Sequence, residues 1–391
     1  MELLEGLAQI PEVSSIYAKL PYDIMGGGRS GAVLPAVNWE GAGRYIRAAH
    51  DRGISFCYLA NAPCLGNLEQ TPEGRERILE YIGRLIELGV DSVSIANLAV
   101  VALVRRNFPD LPIRGSVLSW PTNLPRLKHQ EGLGIDPLIL PYSDFNRDFP
   151  ALQRIRSGLA CGFQLFVNIA CIYQCSYLAE HANSVGHASQ AVENPRKSNS
   201  FLDFYLWQCT RRRLLQPELF LMSRWIRPED LHVYEDMGYD EFKIIDRSRS
   251  TAWLLRAARA YAQRRYDGNL LDILSLEMLG DANGFHQAVE AQICQYMLKA
   301  QPAERELMLK MLKIRKQLLA LDIYIDNQAL SGFLDGFRKI RCAETSCEEC
   351  RYCQRHAERA VRFDRTEAGR LVKEIDGLLD GFLAGPTAAR A

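Results

Sequence analysis

Eight short runs of apolar, β-favouring residues recur along the first two thirds of the chain, and the segments between them follow a different rhythm. The runs are SSIYAKL (14–20), SFCYLAN (55–61), SVSIAN (92–97), IRGSVLS (113–119), PLILPY (137–142), GFQLFVN (162–168), LFLMSRW (219–225) and EFKIIDR (241–247). In the intervening segments, as in GRERILEYIGRLIEL (74–88), apolar residues fall three and four apart, the spacing that turns one face of an α-helix toward a core. Glycine stands at several helix-to-strand junctions, in DRGIS, ELGVDS, GLGID and DMGYD, where a left-handed residue closes a helix. This alternation predicts an α/β fold, a (β/α)8 TIM-type barrel over residues 1–265, with a doubly wound open sheet as the alternative. In a barrel the carboxyl ends of the strands converge on one mouth, where such folds keep their chemistry.

Beyond residue 266 the strand pattern stops. AERELMLKMLKIRKQLLAL and TEAGRLVKEIDGLLDGFL read as helices, so residues 266–391 are expected to form a helical C-terminal extension, with GPTAARA (385–391) frayed at its end. Hydrophobic residues make up 48% of the 391, enough for a sizeable core. Lys plus Arg equals Asp plus Glu, 47 each, a balance that argues against a partner held by bulk charge, nucleic acid included. The run Arg211–Arg213 reads as a solvated helix face. MELLEGLAQIPEV has neither the basic start nor the apolar stretch of a signal peptide, and no apolar run reaches the roughly 18 residues of a membrane helix. The expectation is a cytoplasmic protein with no membrane partner.

In a reducing compartment, eleven cysteines are better read as ligands or buried thiols than as disulfides. Cys171 and Cys175 follow the sixth run, Cys209 precedes the seventh, and Cys64 follows the second. Together they make a four-thiolate set suited to a [4Fe–4S] cluster at the barrel mouth, against the plainer alternative of unrelated buried thiols. Leu178 stands where a radical-S-adenosylmethionine loop would carry its third cysteine, so that loop is excluded. In the extension, Cys342, Cys347, Cys350 and Cys353 are spaced C-x4-C-x2-C-x2-C. That spacing suits a second [4Fe–4S] cluster or structural zinc, and a tail cysteine as fourth ligand to the mouth cluster stays open.

His181, His187 and Asn168 border the first cysteine group and are the candidate catalytic side chains, His as proton donor or second partner of a cluster ligand. Arg29, in the glycine loop YDIMGGGRSG, joins Arg147, Lys243 and Arg247 as candidates for gripping an anionic substrate, unless the arginines pair with nearby carboxylates. There is no HExxH, Walker loop or serine–histidine–aspartate signature.

Two stretches, VNIACIYQCSYLAEHAN and RPEDLHVYEDMGYDEFKIIDRSRS, resemble the collagenase-like "unclassified peptidase" family, over roughly residues 14–265. Its better-understood members are iron–sulfur proteins that hydroxylate without dioxygen in ubiquinone synthesis and on RNA. The resemblance implies an iron–sulfur oxidoreductase acting on a small anionic or aromatic substrate. It also implies a prephenate-like oxygen donor, an electron donor and a homologous partner chain. The alternatives are a metal-assisted peptidase, matching the family's historical name, and a non-catalytic iron–sulfur subunit of a heterodimer.

Overall fold

The computed structural model describes residues 1–31, 34–190, 203–276, 278–279 and 302–384. The expected fraying of 385–391 lies outside the described residues. Seven strands run parallel in sequence order: β1 (Ser15–Ala18), β2 (Ser55–Ala60), β3 (Ser92–Ile95), β4 (Ile113–Arg114), β5 (Leu138–Leu140), β6 (Phe163–Phe166) and β7 (Glu241–Lys243). Ladders join β1 through β4 and β5 through β7. A parallel bridge between Ile113 and Ile135, with Gly115 N donating to the Pro137 carbonyl at 2.9 Å, connects the two groups.

Helices alternate with the strands. Trp39–His50 starts at Asn38, whose side chain accepts from Gly41 N, and Pro72–Leu88 starts at Thr71 with proline in its first turn. Gly89 closes that second helix at φ +92°, and Gly238 makes the turn before β7 at φ +84°. A side chain would strain both turns. Val93, Leu138 and Leu165 are fully buried along the strands, against helix residues such as Ile78, Ile82 and Leu152.

One expected strand is absent. LFLMSRW forms the short helix Glu218–Met222 and an irregular exit, and β7 takes the place beside β6, with Gln164 opposite Glu241. Leu219, Phe220 and Leu221 are all buried, so this run has no polar face; periodicity cannot separate a fully buried strand from a buried helical turn. A bond from Ile226 N to the Val167 carbonyl, 2.8 Å, ties the exit to the end of β6, and the Asn146 side chain bridges the Phe166 and Arg224 carbonyls beside it.

The extension is mainly helical, with Pro302–Ala320 and Arg365–Leu383 as its long helices. It also holds a small antiparallel pair that the pattern did not predict, β8 (Tyr324–Ile325) with β9 (Val361–Arg362). Leu371, Ile375 and Leu378 belong to the same apolar cluster as the strands. Among the described residues no ladder joins β7 to β1. The Tyr17 hydroxyl crosses that seam and donates to the Ile244 carbonyl at 2.9 Å. Tyr17→Phe should therefore lower unfolding stability by about 1 kcal/mol without changing the denaturant slope. Urea denaturation checks this, and no loss would mean that the bond does not brace the seam.

Candidate functional site

The strand ends bring two chemistries together, thiols on one side and buried cations on the other. Cys171 lies just past β6, hydrogen-bonded with Tyr142 and within electrostatic reach of Cys175, Arg213 and Arg29. Cys209 lies on the helix Phe204–Leu215 and interacts with Cys171 and Arg213. Burial pushes the Cys171 thiol up and takes Cys209 to about 11, in each case against the pull of Arg213. Arg213 was hidden in a run read as solvated. It is almost wholly buried, donates to Cys209 Sγ at 3.3 Å and also bonds the Ala170 carbonyl. The i, i+4 spacing of Cys209 and Arg213 on one helix was the available signal. The neighbouring Arg211 pairs with Asp376 of the extension.

Cys64 makes its contacts elsewhere, its sulfur accepting from Gly66 N at 3.4 Å and its carbonyl from Gln190. The tail cysteines form a second neighbourhood. Cys353 and Cys347 both feel Cys342 and Arg224, and burial raises both, Cys353 to about 11. Tyr173, two residues from Cys171, carries Arg224 over its ring at 3.8 Å and interacts with Cys342, so the two neighbourhoods adjoin. Among the described residues, no three His, Cys, Asp or Glu are placed to hold a metal ion. The donor sets suit a soft metal or an iron–sulfur cluster in kind, and the thiols would have to draw together to bind one.

The cations occupy a cavity of about 1570 Å³ that opens along the β1–β7 seam, lined by Tyr17, Lys19, Lys243 and Arg247, with Leu3 and Leu254 toward the outside. Burial pushes the Lys243 ammonium down to about 8, assisted by Arg114 and Arg247 and opposed by Cys57. Burial takes Arg247 to about 10, assisted by Arg29. Arg247 Nη1 is buried without a hydrogen-bond partner. Lys19 pairs with Asp23 at 2.8 Å, both side chains fully enclosed, and the Tyr58 hydroxyl donates to Asp23 at 2.7 Å. The sequence singles out none of Lys19, Asp23 and Tyr58; Lys19 and Asp23 pair four residues apart in the loop after β1, and Tyr58 reaches them from β2.

The glycine loop turns its amides inward. Met25 N and Gly26 N donate to Asp23 Oδ1, and Gly27 N donates to Ser189 Oγ. Those three amides therefore do not face the cavity as an anion nest. Arg29 Nε lies 3.8 Å from Asp246, which also meets Arg249 at 3.1 Å, Ser248 and Ser275. Burial alone would raise the Asp246 carboxyl, but Arg29, Arg249 and Ser248 hold it well below the usual carboxylate range.

The other expected residues are engaged structurally. Asn168 donates to the Ile245 and Ile273 carbonyls and accepts from Ile245 N, continuing the β6–β7 pairing by its side chain. Arg147 turns away from the cavity, donating to the Leu221 and Trp225 carbonyls and lying over Trp225, Phe333 and Phe337. His181 pairs with Asp203 at 3.1 Å and stacks beside Tyr205. His187 is half-buried in the last turn of Leu178–Ala188.

Asp246→Asn should cost about 3 kcal/mol at pH 7, because it removes the buried carboxylate on which Arg29 and Arg249 converge. Since the folded carboxyl is depressed, its contribution is fully present above pH of about 4 and fades as the pH falls through the folded value. The difference between wild type and variant in chemical denaturation should accordingly shrink at low pH; a pH-independent difference would contradict this.

The sequence profile described as peptidase family U32 matches residues 32–179. A protein of Methanocaldococcus jannaschii named as an uncharacterized protease is 28% identical over 351 residues, 90% of each chain. The solved structure of a U32 peptidase is similar at a TM-score of 0.45 and 19% identity, covering 60% of this chain and 86% of that one. Over residues 32–179 the chain is thus similar to peptidase family U32.

Proposed function

We propose that the chain is an iron–sulfur enzyme, an oxidoreductase that hydroxylates a small anionic substrate without dioxygen. Cys171, Cys175 and Cys209 would hold the cluster with a fourth thiol, from Cys64 or the tail. The observation that carries this reading is Arg29, which is within electrostatic reach of both Cys171 and the cavity-lining Arg247. A bound cluster would supply electron transfer or an open iron site. The chain's own residues would do the rest. Arg247 and Arg29 would bind and orient the acid group, Lys243 would sit at the cavity wall, and the surrounding apolar side chains would limit water. The tail quartet would take a second cluster or zinc.

The family name and the M. jannaschii relative favour a second reading, a metal-assisted peptidase. Against it, the sequence carries no HExxH or serine–histidine–aspartate signature.

Iron, acid-labile sulfide and zinc per chain, measured after purification without air, decide between them. Two [4Fe–4S] clusters correspond to about eight irons, halved in Cys171→Ala and in Cys347→Ala. Zinc lost only in Cys347→Ala would make the tail structural and leave one cluster at the strand ends. No iron or sulfide, with peptide hydrolysis supported by another metal, would overturn the proposal in favour of the peptidase.

A further inference from the structure

Lys243 is the residue whose surroundings its structural role explains least. It ends β7 with its ammonium turned into the cavity, enclosed by protein on most sides. Among the described residues no hydrogen bond or ion pair holds it; its near neighbours are the Tyr17 ring, 4.1 Å from Nζ, and the Phe166 ring at 5.4 Å. Buried lysines normally acquire a carboxylate, because an unpaired buried ammonium is costly. The acids beside it along the chain are taken: Glu241 pairs with Arg114 and accepts from Gln164, and Asp246 is held by Arg249 and its serines. The charged groups that do act on Lys243 are Cys57 of β2, Arg114 of β4 and Arg247, two of the three cationic. Desolvation beside other cations is the setting that turns lysine into a nucleophilic amine.

Arg247 supplies an independent pointer to a ligand. Its guanidinium lines the same cavity, with Nη1 buried and without a partner, four residues along the chain from the amine. A compound with both a carbonyl and an acid group would satisfy both, the acid on Arg247 and the carbonyl carbon at Lys243 Nζ.

We propose that Lys243 condenses with the aldehyde or ketone group of a small acid-bearing compound bound in this cavity, forming an imine. The free amine adds its lone pair to the carbonyl carbon, giving a carbinolamine. Its hydroxyl is then protonated and leaves as water while nitrogen gives up its protons, so that one water departs and no oxidant or reductant takes part. The resulting C=N bond, once protonated, is an electron sink for the adjacent carbon. The proposal rests on the reading of this cavity as a site for a small anion, but it needs neither cluster nor metal.

The test is reductive trapping on the intact folded chain, with glyoxylate as the probe, sodium cyanoborohydride as the reductant and peptide mapping as the readout. With an amine held at about 8, Lys243 has on the order of a hundredfold more free base at neutral pH than an ordinary lysine. It should be carboxymethylated first, at limiting reagent, before any other lysine. Lys243→Arg keeps a cation over Tyr17 but has no condensing amine, and should lose that early adduct while melting like wild type. Arg247→Met should slow trapping of glyoxylate about tenfold and leave trapping of uncharged propionaldehyde unchanged. Early labelling spread over surface lysines in the folded wild type, with Lys243 unmodified, would overturn the proposal. Because the wild-type map alone can give that result, misfolding of a variant does not rescue it. Loss of iron with trapping intact would instead sink only the cluster reading.

Discussion

The carboxylate of Asp246 holds this architecture together where its backbone does not. The sheet is paired from β1 to β4 and from β5 to β7, yet the described residues show no ladder between its first and last strands. Across that seam, Arg29 from the loop after β1 reaches Asp246 from the end of β7, and Arg249 and Ser248 close on the same carboxylate. Asp246 itself sits at φ +114°, a backbone state that costs a non-glycine residue on the order of 1–3 kcal/mol and persists only where the surroundings enforce it. The conformation brings the next residue, Arg247, to line the cavity. Strain, seam and cavity thus meet at one buried charge and its partners.

The thiol side depends on a comparable cation. Arg213 connects Cys209 to the Ala170 carbonyl, and so fixes the helix Phe204–Leu215 against the segment that carries Cys171. Arg147 plays that part for the extension: it bonds the exit of the helix Glu218–Met222 and lies over Phe333 and Phe337. Arg224, packed over Tyr173 and felt by Cys347 and Cys353, spans the two thiol neighbourhoods. The cations oppose the burial that holds these thiols in the protonated form, and ligation of a soft metal needs the thiolate.

How much of this was legible in the sequence depended on the distance over which each residue finds its partners. The apolar runs of the parallel strands and the glycine turns at Gly89 and Gly238 are local features, visible in the sequence pattern. LFLMSRW was misread because a fully buried run carries no period. Lys243 and Arg247 were legible as candidates because they end a strand. Arg147 was selected on the same ground, yet its guanidinium is committed to carbonyls 74 and 78 residues away and to aromatics of the extension, which no local spacing announces. Asn168 looked like a catalytic amide for its place beside Cys171, but tertiary pairing uses it as a piece of sheet. Arg213 was missed because three consecutive arginines look solvated, although one of three on a helix can face inward.

The central claim is that the thiols and the buried cations form one site rather than two neighbours. The measurement that tests it most directly is the electron paramagnetic resonance spectrum of the reduced, anaerobically reconstituted protein, recorded with and without malonate as a small anionic probe. One site predicts that malonate shifts the cluster's g-values in the wild type and in Cys347→Ala, and leaves them unmoved in Arg247→Gln. A cluster signal indifferent to malonate, in a protein that binds malonate at Arg247, would contradict the account.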